Sequence, residues 1–258
     1  MRSNPVRTAA ELRPSNIPIV IACPRVLEHT GLASSCISAS CLEKILDDLL
    51  AAGRRFLDLD QFRAAAEGLN DAPDGLLLSF DHDGVDFLDS TLPILQERKI
   101  PSVLFLPIAL VGRVTSRGFG PLRQQTRHLS WSQLRSVMRA GVRVQSAGFE
   151  AVGLHQVTPE VEFGDLIRSR RELERRLHEE AVALRYPEPF SDERMADLAR
   201  RAGFSLAFGT VKGGKVDPLF ALRRVPLRRG DSLDSVLRGN PGAGLGSKLK
   251  RASAIFGL

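Results

Sequence analysis

The chain has three cysteines in 258 residues, Cys23, Cys36 and Cys41. An odd number with no zinc-like pairing excludes a disulfide framework and predicts reduced, buried thiols in a cytoplasmic setting. Long apolar runs are absent too, and no stretch reaches the roughly 18 residues that a bilayer span requires. The N-terminus carries Arg2, Arg7, Glu11 and Arg13 in place of an apolar leader core, so neither a signal peptide nor a transmembrane helix is expected. There is no Gly-x-Ser-x-Gly elbow, no Gly-x-x-x-x-Gly-Lys loop and no dinucleotide fingerprint, which argues against the common nucleophilic, phosphate-binding and nucleotide-dependent classes. The glycines of Phe208-Gly209-Thr210 and Gly213-Gly214-Lys215 lack the Ser or Thr and the helix that would cradle a phosphate, and Lys212 to Lys215 reads as a turn.

What is present is the composition of a globular protein, with 43% apolar and 26% charged residues and interspersed Gly and Pro. A chain of this length buries a large single core, so one domain is expected over residues 17–237. A polar, Pro-punctuated extension, 1–16, precedes it, and a basic, Gly-rich tail, 238–258, follows. The charge is unevenly placed. From Leu222 onward Arg223, Arg224, Arg228, Arg229, Arg238, Lys248, Lys250 and Arg251 face only Asp231 and Asp234, which accounts for the whole net charge of +6. That segment lacks the interleaved aromatics of a base-stacking surface, so no nucleic-acid partner is expected and it reads as a solvated terminal face. Within it Leu245, Leu249, Ala252, Ile255 and Phe256 form a short apolar stripe beside Lys248, Lys250 and Arg251. The stripe reads as a short helix packed on the chain's own core, the alternative being a weak contact with an anionic membrane surface.

Periodicity predicts alternating strands and helices. Strands are expected at Ile17–Ala22, Phe56–Leu59, Gly75–Phe80, Pro101–Leu106, Val142–Ser146, Val182–Tyr186 and Ser205–Phe208. Helices are expected at Ala39–Ala52, at 61–67 with Asp60 as N-cap, and at Thr91–Arg98, Ser130–Ala140, Pro159–Glu180 and Asp192–Ala202. Repeated strand and helix units with short connections argue for a parallel, barrel-like α/β architecture.

Residues Ser79 to Asp86 are the most informative stretch, because the apolar run Leu76-Leu77-Leu78 delivers Asp81, His82, Asp83 and Asp86 to the end of a strand. In α/β folds chemistry is placed there. Together with Leu92-Pro93-Ile94-Leu95, Ile100 to Pro107, Leu129 to Leu134, Gly141 to Ser146 and Ala202-Gly203-Phe204, this stretch resembles the NodB-type polysaccharide deacetylases over residues 17–237. The resemblance implies an α/β fold, a deformed, incomplete (β/α) barrel of the polysaccharide deacetylase type. It implies removal of acetyl groups from N-acetylated sugars or from O-acetyl esters. It also implies a divalent metal, usually zinc, held by one Asp and two His, with a neighbouring Asp as the base. Three ligands leave a position for water, lower its pKa and polarise the amide carbonyl.

Aligned without gaps, the family's Thr/Ser-Phe-Asp-Asp-Gly-x-x-Asp puts Asp81 at the base position, His82 at the metal Asp, Asp83 at the glycine and Asp86 at the downstream Asp. A one-residue insertion would instead make Asp83-Gly84 the Asp-Gly pair. The family's Ser-His-x-x-x-His falls on Ser146 to Ala151, with Ala147 and Ala151 at the histidine positions. Alanine offers no lone pair to a metal. Arg-x-Pro-x-Gly falls on Arg185 to Pro189, which implies Arg185 as the group that orients Asp81 and, with Asp86, Tyr186 and Pro187 as substrate contacts. Pro189 removes a backbone donor where glycine is usual. The family's Tyr-His-Arg-Val reads Cys23-Pro24-Arg25-Val26 here, and the late Leu-x-His motif finds no match in Arg224 to Arg228.

Of the three metal positions, His82, Ala147 and Ala151, only one carries a ligand, and a lone imidazole does not hold zinc against water. No cofactor is therefore expected, and the expected function is that of a deacetylase-like protein of carbohydrate metabolism with impaired or absent hydrolysis. One alternative is a non-catalytic saccharide-binding or scaffolding protein of polysaccharide biosynthesis, whose partner is an acetylated saccharide or a biosynthetic protein. Another is an active deacetylase whose zinc or other divalent metal sits on a rewired set of His82, Asp83, Glu150 and His155. If hydrolysis persists, Asp81 is the base. His29, His128 and His178 show no ligand spacing and are expected at the surface.

Overall fold

The computed structural model describes residues 17–28, 36–70, 72, 75–117, 124–150, 157–186, 191–212 and 216–238. The expected N-terminal extension and most of the basic tail lie outside the described residues. Eight parallel strands form the central sheet: β1 Ile19–Cys23, β2 Arg55–Phe56, β3 Gly75–Phe80, β4 Ser102–Leu106, β5 Val142–Ser146, β6 Ala183–Arg185, β7 Leu206–Phe208 and β8 Arg224–Pro226. They run in the order β7-β6-β5-β4-β3-β1-β8, with β2 paired to the start of β3. A single parallel bridge between Phe208 and Leu222 brings the two edges together. The result is a nearly closed, incompletely sealed parallel barrel of the deacetylase type, as the α/β reading of the sequence anticipates.

Helices cover the outside: α1 Ala39–Ala51, α2 Leu59–Ala66, α3 Asp86–Ser90, α4 Leu92–Glu97, α5 Trp131–Arg139, α6 Pro159–Leu177, α7 Glu193–Arg201 and α8 Leu233–Leu237. Successive strand residues face opposite sides, so the strands sort the apolar residues into two cores. Ile21, Leu76, Leu78, Leu104, Leu106, Val144 and Leu184 pack outward with the helices. Val20, Leu77, Val103, Phe105, Ala147, Ala183, Leu206, Phe208 and Leu222 fill the barrel lumen. Phe208 is the hub of that lumen, with its ring 5.3 Å from Phe105 and 5.8 Å from Phe62.

Several boundaries differ from the sequence reading. The strand expected over Phe56–Leu59 stops at Phe56, and Asp58, not Asp60, caps the helix that begins at Leu59. The cause is a capping box: Asp58 accepts from the Gln61 backbone N–H at 2.8 Å while its own N–H donates to the Gln61 side chain at 3.2 Å. The helix expected from Thr91 is preceded by another turn of helix, α3, with the break at Thr91 and Pro93. A hairpin, Val114–Arg117 with Gln124–Arg127, and the closing strand β8 were not anticipated. Strand β8 is short, ends in Pro226 and carries Arg224, so in the sequence it merges with the basic tail.

The cysteines are free thiols, with Cys23 and Cys36 buried, and burial pushes the Cys23 thiol pKa up, which keeps it unreactive. Phe208→Ala removes the ring shared by both aromatic neighbours and is expected to cost about 3–5 kcal/mol of stability, read from the urea midpoint.

Candidate functional site

The same alternation that fills the lumen carries polar residues to its C-terminal mouth. Leu77 and Ser79 on β3 lead to Asp81, Ala183 on β6 leads to Arg185, and Leu222 leads to Arg224 on β8. The ends of β3 and β6 and the first residue of β8 converge on one carboxylate. Arg224 donates both terminal nitrogens to Asp81, at 2.7 and 2.9 Å, in the bidentate fork that suits guanidinium and carboxylate. Arg185 stands on the other side with its Nε 3.4 Å from Asp81, while its terminal nitrogen donates to the Tyr186 carbonyl at 3.1 Å. Burial raises the Asp81 pKa, but the charges of Arg224 and Arg185 outweigh it and hold the carboxyl below its ordinary value. Below the pair, Arg224 lies 5.9 Å from the centre of the Phe105 ring, so its guanidinium caps the aromatic lumen.

A second network borders the first. His82 Nε2 lies 3.1 Å from Asp86 Oδ1, and Arg25 Nε donates to Asp86 Oδ2 at 2.9 Å. Gly84 sits between these side chains, where a Cβ would collide with both His82 and Asp86. The loop therefore needs glycine for space. Burial opposes ionisation of Asp86, yet the hydrogen bonds from His82 and Arg25 prevail and bring its pKa down to about 2.

Asp83 turns away from the mouth. Its Oδ1 lies 2.9 Å from His128 Nδ1, and His128 Nε2 lies 2.9 Å from the Thr115 hydroxyl on the hairpin. Asp83 and His128 are each 7% exposed at the side chain, so the surface position expected for His128 is corrected to a buried one. Its partner is an acid 45 residues away in sequence, which no local spacing reveals. Asp81 thus pairs with the arginines of the mouth, whereas Asp83 pairs with His128.

The structure brings Asp81 and Arg185 together and adds Arg224, which the sequence reading assigned to a solvated basic face. That assignment is corrected: Arg224 is only 7% exposed. Leu222-Arg223-Arg224 has the spacing of the late Leu-x-His motif with arginine in the histidine's place. Tyr186 is buried, and its hydroxyl donates to the Phe220 carbonyl at 3.0 Å, so this expected substrate contact is a core residue. Asp86 is at the mouth, engaged by Arg25 and His82. Ala147 contributes only a buried methyl to the lumen. Of the rewired set, Glu150 is exposed and His155 lies outside the described residues, as do Ala151, Pro187 and His29. The other histidine expected at the surface, His178, is exposed as the left-handed C-cap of α6. Among the described residues no group of three His, Cys, Asp or Glu is placed to hold a metal.

The family model for polysaccharide deacetylase matches residues 69–207, more than half of the chain and all the way from β3 to β7. The chain belongs to the polysaccharide deacetylase family. Among curated proteins, this deacetylase-family chain is 20% identical over 159 residues to YxkH of Bacillus subtilis (strain 168), whose name places it among the polysaccharide deacetylases. The match covers 61% of the chain and 53% of YxkH, so the chain spans about half the length of that relative. Its fold is similar to Streptococcus pyogenes deacetylase PplD, solved in complex with acetate, with a TM-score of 0.73, 18% identity, and 86% of this chain and 97% of PplD covered. IcaB from Ammonifex degensii gives 0.70 at 20% identity, with 86% and 95% covered, and the de-N-acetylase from Aggregatibacter actinomycetemcomitans gives 0.69 at 17% identity, with 86% and 98% covered. At these identities the likeness is one of fold.

Removing one partner from the mouth exposes the cost of the other. Arg224→Leu is expected to lower stability by about 2 kcal/mol, less than for a fully buried pair because Asp81 keeps 34% of its side chain exposed. The double variant Asp81→Asn/Arg224→Leu recovers part of that loss, which a double-mutant cycle in urea measures. The pH response follows from Asp86. Its folded pKa is depressed, so its contribution to stability is complete above about pH 4 and is lost as the pH falls through about 2. Asp86→Asn flattens the fall of the urea midpoint across that window.

Proposed function

We propose that this deacetylase-family chain binds a saccharide at the barrel mouth without metal-dependent deacetylation. The observation that carries the reading is the Arg224 fork on Asp81. In the family the corresponding acid is a base that takes a proton from a metal-bound water. Here both oxygens of Asp81 accept from one guanidinium, with a second guanidinium beside them, and the lowered pKa makes the carboxylate a weak base.

The described side chains do not fit the metal that the family implies. Ala147 offers a methyl, His82 is engaged by Asp86, and a divalent cation next to Asp81 would face the positive charges of Arg185 and Arg224. No hydrolytic step is derived through such a metal. The barrel mouth is polar and charged, which suits recognition of a hydroxyl-rich ligand. A cytoplasmic setting, read from the free thiols, and an acetylated saccharide or a biosynthetic protein as partner belong to the same proposal. No helix among the described residues is long and apolar enough to cross a membrane.

The test is elemental analysis of protein purified without a metal-binding tag, paired with an acetate-release assay on N-acetylated oligosaccharides in added zinc. Zinc well below one equivalent and no acetate release are expected, in the chain as it stands and in His82→Ala. Near-stoichiometric zinc that disappears in His82→Ala, together with acetate release, overturns the reading and restores a metal-dependent deacetylase.

A further inference from the structure

The mouth carries more positive than negative charge. Arg25, Arg185 and Arg224 face Asp81 and Asp86, with His82 as a further imidazole in the same network. Among the described residues, three guanidinium groups against two carboxylates leave one cation in excess at the open end of the barrel. Arg224 is consumed by its fork on Asp81 and is nearly buried. Arg185 shares Asp81 with Arg224: its buried Nε pairs with the carboxylate at 3.4 Å, one terminal nitrogen donates to the Tyr186 carbonyl, and 17% of the side chain remains accessible. Arg25 uses Nε on Asp86 and keeps 29% of its side chain exposed. The exposed parts of these two guanidinium groups are where a ligand's acceptors can meet them.

We propose that the mouth selects an acidic saccharide, with the carboxylate of a uronic-acid unit received by Arg185 and Arg25. The inference rests on the saccharide-binding reading above and names its substrate class. Guanidinium presents paired N–H donors in a plane, the arrangement that a carboxylate accepts two at a time. A neutral N-acetylated sugar brings no charge to balance the excess cation. The ligand's carboxylate joins the network as the third anion, so the three guanidinium groups then face three carboxylates.

The experiment is calorimetric titration of the full chain, in chelator, with an oligogalacturonate and with an N-acetylglucosamine oligomer of equal length, at low and high salt. Oligogalacturonate is expected to bind with an affinity that falls as salt rises, and the neutral oligomer to bind at least about tenfold more weakly. Arg25→Gln and Arg185→Gln should each weaken the uronate by about tenfold or more and weaken the neutral oligomer by clearly less, so that the preference between the two narrows. Arg25→Gln leaves the Asp81 pair intact, so it keeps the test valid if Arg185→Gln fails to fold. Equal affinity for the two oligomers, or variants that change neither, overturns the acidic-saccharide inference while leaving saccharide binding in place. Binding of a phosphorylated sugar at the expense of the uronate overturns the carboxylate assignment. No binding of any oligomer overturns both the inference and the reading on which it rests.

Discussion

The bidentate contact between Arg224 and Asp81 ties the last strand of the barrel to the third, across 143 residues of sequence. Strand β8 is three residues long, and its ladder partner is β1, with only the Phe208–Leu222 bridge toward β7. A strand so lightly held depends on what its side chains do. Leu222 enters the lumen core, and Arg224 reaches past β1 to the carboxylate at the end of β3. The pair decides two properties at once: it fastens the seam of an incompletely sealed barrel, and it commits the acid at the centre of the mouth to a structural partner.

Around that contact each acid of the mouth stands between two basic groups. Asp81 sits between Arg185 and Arg224, and Asp86 between His82 and Arg25. Each acid is partly dry, so burial alone would push its pKa up, and in each case the neighbouring donors win. Both carboxylates therefore stay ionised across the neutral range.

Much of the fold was legible because lumen and helix-facing residues alternate with a period that survives in the sequence. The runs at Gly75–Phe80, Ser102–Leu106 and Val142–Ser146 are long and apolar, and all three were placed within a residue. The elements that escaped are those whose signal is not periodic. Strand β8 hides in an arginine-rich segment, and the hairpin at Val114–Arg127 is polar on both strands. The same limit applies to the site. Asp81 and Arg185 were found through motif spacing, whereas Arg224, Arg25 and His128 acquire their partners only through tertiary contact, over separations of 143, 61 and 45 residues. Composition even misdirected the reading of Arg224, since its charge counted toward a terminal patch while its side chain is among the least exposed of the arginines at the mouth.

The filled lumen also limits what position 147 can carry. Phe62, Phe105 and Phe208 pack in one cluster, Ala147 shares it, and Arg224 lies over the Phe105 ring. A histidine at Ala147 would enlarge a fully buried side chain, at a typical cost of about 1–3 kcal/mol. Replacing Arg224 instead strands Asp81. The two positions are thus held by different constraints, one of volume and the other of charge.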